Sequence, residues 1–341
     1  MYLDEHRDRA ALGLEDRLGH VAEVLTVRMQ RQRAVAAQWH DKLDRVSIRV
    51  PAQGQHLVDS LHTALAHMLI SRTGPRLQPG TRSYARAWIR DGAMISEALL
   101  RMGREDVAGD FLRFYAPYQF ASGKVPCCVD DRGSDPVPEN DSQGELIHLV
   151  AEVYRYTHDR GLLEAMWPHV AGAVQYMEAL RAGERTEANR ARNAAFFGLM
   201  PASISHEGYS AKPMHSYWDD FWALRGYKDA VDIARWLGHD AEATAFATSR
   251  DQFRADLYAS IAIATKQNKI DFIPGSAELG DFDATSTTVA LSPGGEQARQ
   301  RRLAVAVAAE QRDAVVGIDA QVEPAEDRRA FGIADTGEVE R

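Results

Sequence analysis

Several stretches of this chain place carboxylates beside aromatic or hydrogen-bonding side chains, a combination suited to proton transfer and to holding hydroxyl groups. One is Tyr84-Ala85-Arg86-Ala87-Trp88-Ile89-Arg90-Asp91. Asp91 can accept from a pair of hydroxyls, Arg90 can donate to them or hold Asp91 in place, and Trp88 offers a flat apolar face. A second is Tyr217-Trp218-Asp219-Asp220-Phe221-Trp222. The aromatic rings around Asp219 would raise its pKa by desolvation, Asp220 pushes the same way, and the start of a helix opposes both. His206 and Glu207 add a further acid or polar contact in the preceding loop. In Ile273-Pro274-Gly275-Ser276-Ala277-Glu278-Leu279-Gly280-Asp281-Phe282-Asp283, Glu278, Asp281 or Asp283 can activate water or bind a hydroxylated ligand. In Asn140-Asp141-Ser142-Gln143-Gly144-Glu145, Asp141 or Gln143 can face a pocket. Each stretch also has a plainer reading. Asp at a helix start caps the helix, Ser142 followed by Glu145 is a capping-box pattern, and Glu207 fits a solvated loop.

The elements that position these residues are helical. Leu14, Leu18, Val21 and Leu25 mark a long charged helix or linker over about 14–47, broken at Val50-Pro51. Beyond it the apolar period stays near 3.6. Leu57, Leu61, Leu65, Met68 and Leu69 form one stripe, and further helices are expected over about 91–102, 105–119, from Ser142, 160–181, 218–237 and 240–258. Shorter ones are expected near 284–291 and 296–312, and no pair of alternating strand segments stands out. Tight turns at Gly103-Arg104 and His158-Asp159 alternate with long loops over about 73–90, 120–141, 183–217 and 265–283. Long loops usually carry function, so the pattern predicts helical hairpins with a site on the long-loop face. The expected division is an N-terminal helix or linker over 1–50, a hairpin domain over 51–312 and a polar tail over 313–341.

Composition narrows the ligand. Lys+Arg total 40 against 49 Asp+Glu, a net charge of -9, which gives no electrostatic reason to expect nucleic acid or an anionic membrane surface. No apolar run reaches the ~18 residues of a membrane span, and the charged N-terminus has no apolar signal core. Cys127 and Cys128 are adjacent, which makes neither a disulfide framework nor a zinc-ligand spacing. They read as two small thiols in a reducing compartment, and the chain as cytoplasmic, with no cofactor or metal.

Trp88-Ile89-Arg90-Asp91 resembles the W-x-R-D element of the glucoamylase family and its six-hairpin relatives, where it precedes an inner helix and binds the non-reducing sugar. Tyr217-Trp218-Asp219-Asp220 resembles the W-E-E element that carries the general acid, with Asp in that role as in related processing glucosidases. The resemblance spans roughly residues 52–300. It implies an all-α fold, the (α/α)6 toroid of helical hairpins. It also implies an exo-acting, inverting glycoside hydrolase-like protein for an α-glucoside or similar oligosaccharide. Asp219 is then the general acid. Trp88, Arg90, Asp91, His206, Glu207, Trp218 and Asp220 bind the sugar. Glu278 stands in for the catalytic base, which in glucoamylases lies near the last helices. The alternatives are a degenerate glycan-binding toroid without that base, and a phosphorylase, for which no phosphate pocket is recognisable. About nine helices follow Pro51 where a closed toroid needs twelve. The toroid is therefore expected to be incomplete at its C-terminus, with apolar flanks near Leu57, Leu61 and Leu65 covered by a second copy of the chain or by the N-terminal helix.

Overall fold

The computed structural model describes residues 2–206 and 208–296. Glu207, the expected helix over 296–312 (apart from Glu296) and the tail over 313–341 lie outside the described residues. The chain divides into two compact units, Met1–Ile48 and Arg49–Arg341. The first is one helix, α1 (Tyr2–Leu43), longer at its start than the apolar stripe predicts.

The second unit opens with α2 (Gln55–Ser71). Its stripe is only partly covered, with Val58 and Leu65 buried and Leu57, Leu61 and Ile70 exposed. Strand β1 (Ala87–Trp88) leads into α3 (Ile89–Arg101), which turns back through α4 (Glu105–Tyr115). Strands β2 (Cys128–Asp130) and β3 (Gly133–Ser134) follow in the next long loop. The second hairpin is α5 (Ser142–Thr157) with α6 (Arg160–Glu184), followed by the short α7 (Glu187–Arg192). The third is α8 (Tyr217–Leu237) with α9 (Asp240–Asn268), and α10 (Ala284–Leu291) closes the described chain.

Burial separates inner from outer helices. In α5 every residue from Ser142 to Ala151 is buried, and in α8 every residue from Tyr217 to Leu224. Helices buried on nearly all sides form the centre of a domain. Helix α5 packs on α3, α6 and α8, and α8 on α6, α9 and α10, so α3, α5 and α8 form an inner layer and α4, α6 and α9 an outer one. This arrangement of inner and outer helices is that of an α/α toroid.

Two sequence expectations give way here. Helix α9 runs to Asn268, ten residues past the expected 258, because the stretch Ser260-Ile261-Ala262-Ile263-Ala264 still places Ser260, Ile261 and Ala264 on a buried face. The three strands form an antiparallel sheet in the order β1-β2-β3, with Trp88 opposite Cys128 and Val129 opposite Ser134. Strands of two or three residues are too short to show a period of two.

The inner helices α5 and α8 approach each other through glycine. A Cβ at Gly144 would stand 2.0 Å from the Trp222 carbonyl oxygen, and one at Gly226 would stand 2.7 Å from the Gly144 Cα. Further along, His148 Nδ1 and Arg155 Nη2 contact the buried Asp229 carboxylate at 2.9 and 2.5 Å, and Arg225 also donates to it. Burial alone would raise the Asp229 pKa, but Arg225 and Arg155 outweigh it and hold the group well below the usual carboxylate range. Gly144→Ala should therefore lower stability by about 3 kcal/mol, the upper end of the overpacking cost, since backbone blocks the new methyl. Gly183→Ala, in α6 with open space around it, should raise stability by up to about 1 kcal/mol. Urea-unfolding midpoints of the two variants check the contrast.

Candidate functional site

The starts of the three inner helices meet around Asp141. This residue immediately precedes α5 and is fully buried. Trp218 Nε1, from the first turn of α8, donates to Asp141 Oδ2 at 2.7 Å. Arg90, from the first turn of α3, lies 3.8 Å from the same oxygen. Arg90 Nη1 also donates to Glu139 at 2.9 Å, and its Nε lies 3.8 Å from Asp91. One guanidinium thus faces three carboxylates. Burial alone would lower the Arg90 pKa, but Asp141, Glu145 and Glu139 outweigh it and raise it. Gly92 makes room for this turn of α3, since a Cβ there would meet the Phe111 ring at 2.1 Å.

Asp219 lies one residue beyond Trp218 and is also fully buried. Ser203 Oγ donates to its Oδ2 at 2.5 Å and Ser205 Oγ to its Oδ1 at 2.8 Å. Both serines belong to the long loop before α8, which Ser203 ties to Met214 by an antiparallel bridge. Burial pushes the Asp219 pKa well up, Asp141 adds to the rise, and the two serine hydroxyls oppose it. Burial also pushes Asp220 up, to about 7, against the Met200 N–H donated to its Oδ1 and the nearby His215 and Arg181. Glu145, one turn into α5, is fully buried, and neither of its oxygens accepts a hydrogen bond from the described residues. Burial and then Asp141 push its pKa well up, against Arg90. A buried carboxyl without a partner is held neutral.

The structure does not bring all the sequence-predicted residues together. Arg90, Asp91, Trp218 and Asp219 gather around Asp141, His206 joins them with its ring 4.8 Å from that of Trp218, and Trp88 packs instead with Cys127 and Cys128. Exposure rises from nothing at Asp141 through 13% at Arg90 to 27% at Asp91, which gives the site a solvent side and a closed floor. Trp88 is only 7% exposed, with the Arg86 guanidinium 5.5 Å from its ring centre and Tyr84 beside it, so its ring is not an open platform.

Glu278 stands apart in an ion pair. Its carboxylate meets His215 Nδ1 at 2.6 Å and accepts the His215 backbone N–H, while His215 Nε2 faces Glu184 at 3.4 Å. Burial would lower the His215 pKa, but Glu184 and Glu278 raise it to about 9. The loop carrying Glu278 docks on the start of α8, with Tyr217 N–H bonded to the Gly275 carbonyl and Ala277 N–H to that of His215.

The capping readings fail at the site and hold outside it. Neither α3, α5 nor α8 has a side-chain cap. Ser142 Oγ instead donates to Asp141 Oδ1 at 3.3 Å, and Glu145 turns inward, so the capping box does not form. Asp283 does cap α10, accepting from Thr285 N–H at 2.9 Å. Sequence reasoning missed Glu139, Ser203 and Ser205, which belong to no motif. It read Glu145 only as a cap. A separate cavity of about 520 Å³ beside α8 and α9 is lined by Arg225, Lys228, Arg250 and Arg254, each paired with a carboxylate.

No family model matches this chain, and no curated protein does. Solved structures do. The alpha-L-rhamnosidase from Dictyoglumus thermophilum matches with a TM-score of 0.52 and 14% identity, over 75% of this chain and 28% of that one. The GH78 family rhamnosidase of Bacillus sp. GL1 matches with a TM-score of 0.51 and 13% identity, over 68% of this chain and 24% of that one. An uncharacterized conserved protein from Thermus thermophilus matches with a TM-score of 0.53 and 13% identity, over 73% of this chain and 75% of that one. The chain therefore spans about a quarter of the length of the two rhamnosidases. At these identities the likeness is one of fold, the α/α toroid of inner and outer helices.

Proposed function

We propose that this chain is a carbohydrate-active protein that takes the terminal sugar of a glycoside between Arg90, Asp91, Trp218 and Asp219, with Asp219 as the general acid. One observation carries the reading: a fully buried Asp219, pushed towards its neutral form, sits beside a carboxylate that Trp218 and Arg90 hold. A buried neutral carboxyl can give its proton to a leaving glycosidic oxygen. Arg90 and Asp91, on the solvent side, supply the donor and acceptor that ring hydroxyls need. His206 lies against the Trp218 ring, and Asp220, one residue from the acid, holds the loop at Met200. In the hydrolytic, inverting reading Glu278 activates water, for which it has to leave the His215 ring. That engagement favours a second reading, a toroid that binds glycans without cleaving them.

Aryl and alkyl α-glucosides and α-L-rhamnosides, assayed with each variant, test both readings. Asp219→Asn should lower kcat on alkyl glycosides by about 10²–10⁴-fold, the span of a lost general acid. The loss should be smaller on nitrophenyl glycosides, whose leaving group needs no proton. Equal losses on both would remove Asp219 from the acid role. Saccharide binding abolished by Arg90→Ala, with no turnover by the unaltered chain, would establish the second reading.

The protonation of Asp220 gives a stability test. Its folded pKa of about 7 lies above the ~4 of an unfolded Asp. Below pH ~4 both states hold the proton and the contribution to stability is full. Above it the unfolded chain releases a proton that the folded chain keeps, so stability falls by about 1.4 kcal/mol per pH unit until pH 7. Asp229, held low by its arginines, changes stability only below that window. Asp220→Asn keeps the acceptor for Met200 and should flatten the decline between pH 4 and 7 by one proton. Urea midpoints across that range measure it, and an unchanged slope would mean that Asp220 is ionised in the folded chain.

A further inference from the structure

Adjacent residues of a regular strand face opposite sides of a sheet, yet Cys127 and Cys128 share one pocket. Cys127 precedes the first residue of β2, and the two Sγ atoms lie 3.3 Å apart. Both thiols are buried against Trp88, with Val137 beside them. Asp135 follows β3, where its N–H bonds to the Cys128 carbonyl at 3.0 Å and its Oδ2 lies 3.8 Å from Cys128 Sγ. The three ligand atoms all fall within 4.8 Å of one another.

These separations approach those of a metal site. With metal–sulfur bonds of about 2.3 Å and metal–oxygen bonds of about 2.0 Å, tetrahedral ligands stand about 3.8 Å apart for two sulfurs and about 3.5 Å for sulfur and oxygen. Arg86 Nη2 donates to Asp135 Oδ2 at 2.8 Å and Val137 N–H to its Oδ1, which fixes the carboxylate as a second layer of contacts does for a metal ligand. Charge is provided for as well. Arg86 lies near Cys128 and Lys124 near Cys127, two cations to offset two thiolates.

We propose that Cys127, Cys128 and Asp135 bind one soft divalent ion of the zinc class, with a fourth position left for water. The two thiols lose their protons on binding. Because each thiol gives up its proton on ligation, affinity rises with pH. The ion acts on the carbohydrate site through structure. Cys127 accepts the Ile89 N–H at 3.0 Å, one residue before Arg90, and Cys128 pairs with Trp88. Ligating the cysteines therefore stiffens the strand that carries Trp88 and leads to Arg90.

Cobalt(II) titration of the reduced full-length chain tests this. The expected result is a thiolate-to-cobalt charge-transfer band that saturates at one ion per chain and is abolished by added zinc. Asp135→Asn should keep the band but weaken binding by about ten-fold or more, and Cys127→Ser and Cys128→Ser should each remove most of the band. Melting curves without metal show whether the variants fold. If the serine variants do not, the unaltered chain decides alone. The proposal is overturned by the absence of the band when both thiols titrate as free after unfolding. It is equally overturned by a band that survives both serine substitutions, or by mass spectra showing the pair closed as a disulfide under the reducing conditions of the titration.

Discussion

The close crossing of α5 and α8 is the constraint on which the site depends. Backbone meets backbone at Gly144 and Gly226, with no room for a methyl group on either helix. Gly144 lies three residues after Asp141, and Trp218 lies eight residues before Gly226. The approach therefore fixes how far the start of α5 stands from the start of α8, which lets the Trp218 indole reach Asp141 at 2.7 Å. A wider crossing would leave that indole N–H and the Asp141 carboxylate buried without each other, at a cost comparable to a lost charged hydrogen bond. The ion cluster of His148, Arg155 and Arg225 around Asp229 holds the same two helices further along. It keeps the helices from sliding, and the glycines keep them close.

Charge at the site follows from scarcity. Asp91, Glu139, Asp141, Glu145 and Asp219 face a single cation, Arg90, among the groups that perturb one another there. One guanidinium cannot stabilise five negative charges, four of them buried, in a low-dielectric setting. Glu139 takes a hydrogen bond from Arg90, and burial pushes Glu145 and Asp219, which take none from it, towards their neutral forms. A proton donor thus arises from the shortage of cations and needs no dedicated partner. Asp219 differs from Glu145 in its surroundings: two serine hydroxyls orient it, whereas Glu145 has no polar neighbour within bonding distance among the described residues.

The sequence made the helices legible because their buried faces recur at the helical period over ten or more residues. It made Arg90, Asp91, Trp218 and Asp219 legible because aromatic and acidic residues cluster at helix starts after long loops. It could not show Ser203 and Ser205. Their part depends on a loop folding back through the Ser203–Met214 bridge, and serine in a loop is unremarked by composition. The capping readings failed for a related reason. Local patterns assume that a helix start meets water, whereas the starts of α5 and α8 are buried against each other, so Asp141 and Asp219 bond across elements instead of along the chain. At α10, where the helix start is exposed, the local rule held and Asp283 caps it.

The two ends of the helical hairpins are built by different physics, and the difference explains where the site lies. At the tight ends the chain reverses through single left-handed residues, Gly103, His158 and Gly238. At the open ends, long loops must satisfy their own polar groups, and they do so by docking on neighbours or folding back on themselves: the Glu278 loop on the start of α8, the loop before α8 through Ser203 and Met214, and β1 on β2. His215, charged between Glu278 and Glu184, joins the loop after α9 to the end of α6. Bonds of this kind hold loops still without burying much apolar surface. They leave a polar rim around a floor of buried carboxyl groups, Asp141, Glu145 and Asp219.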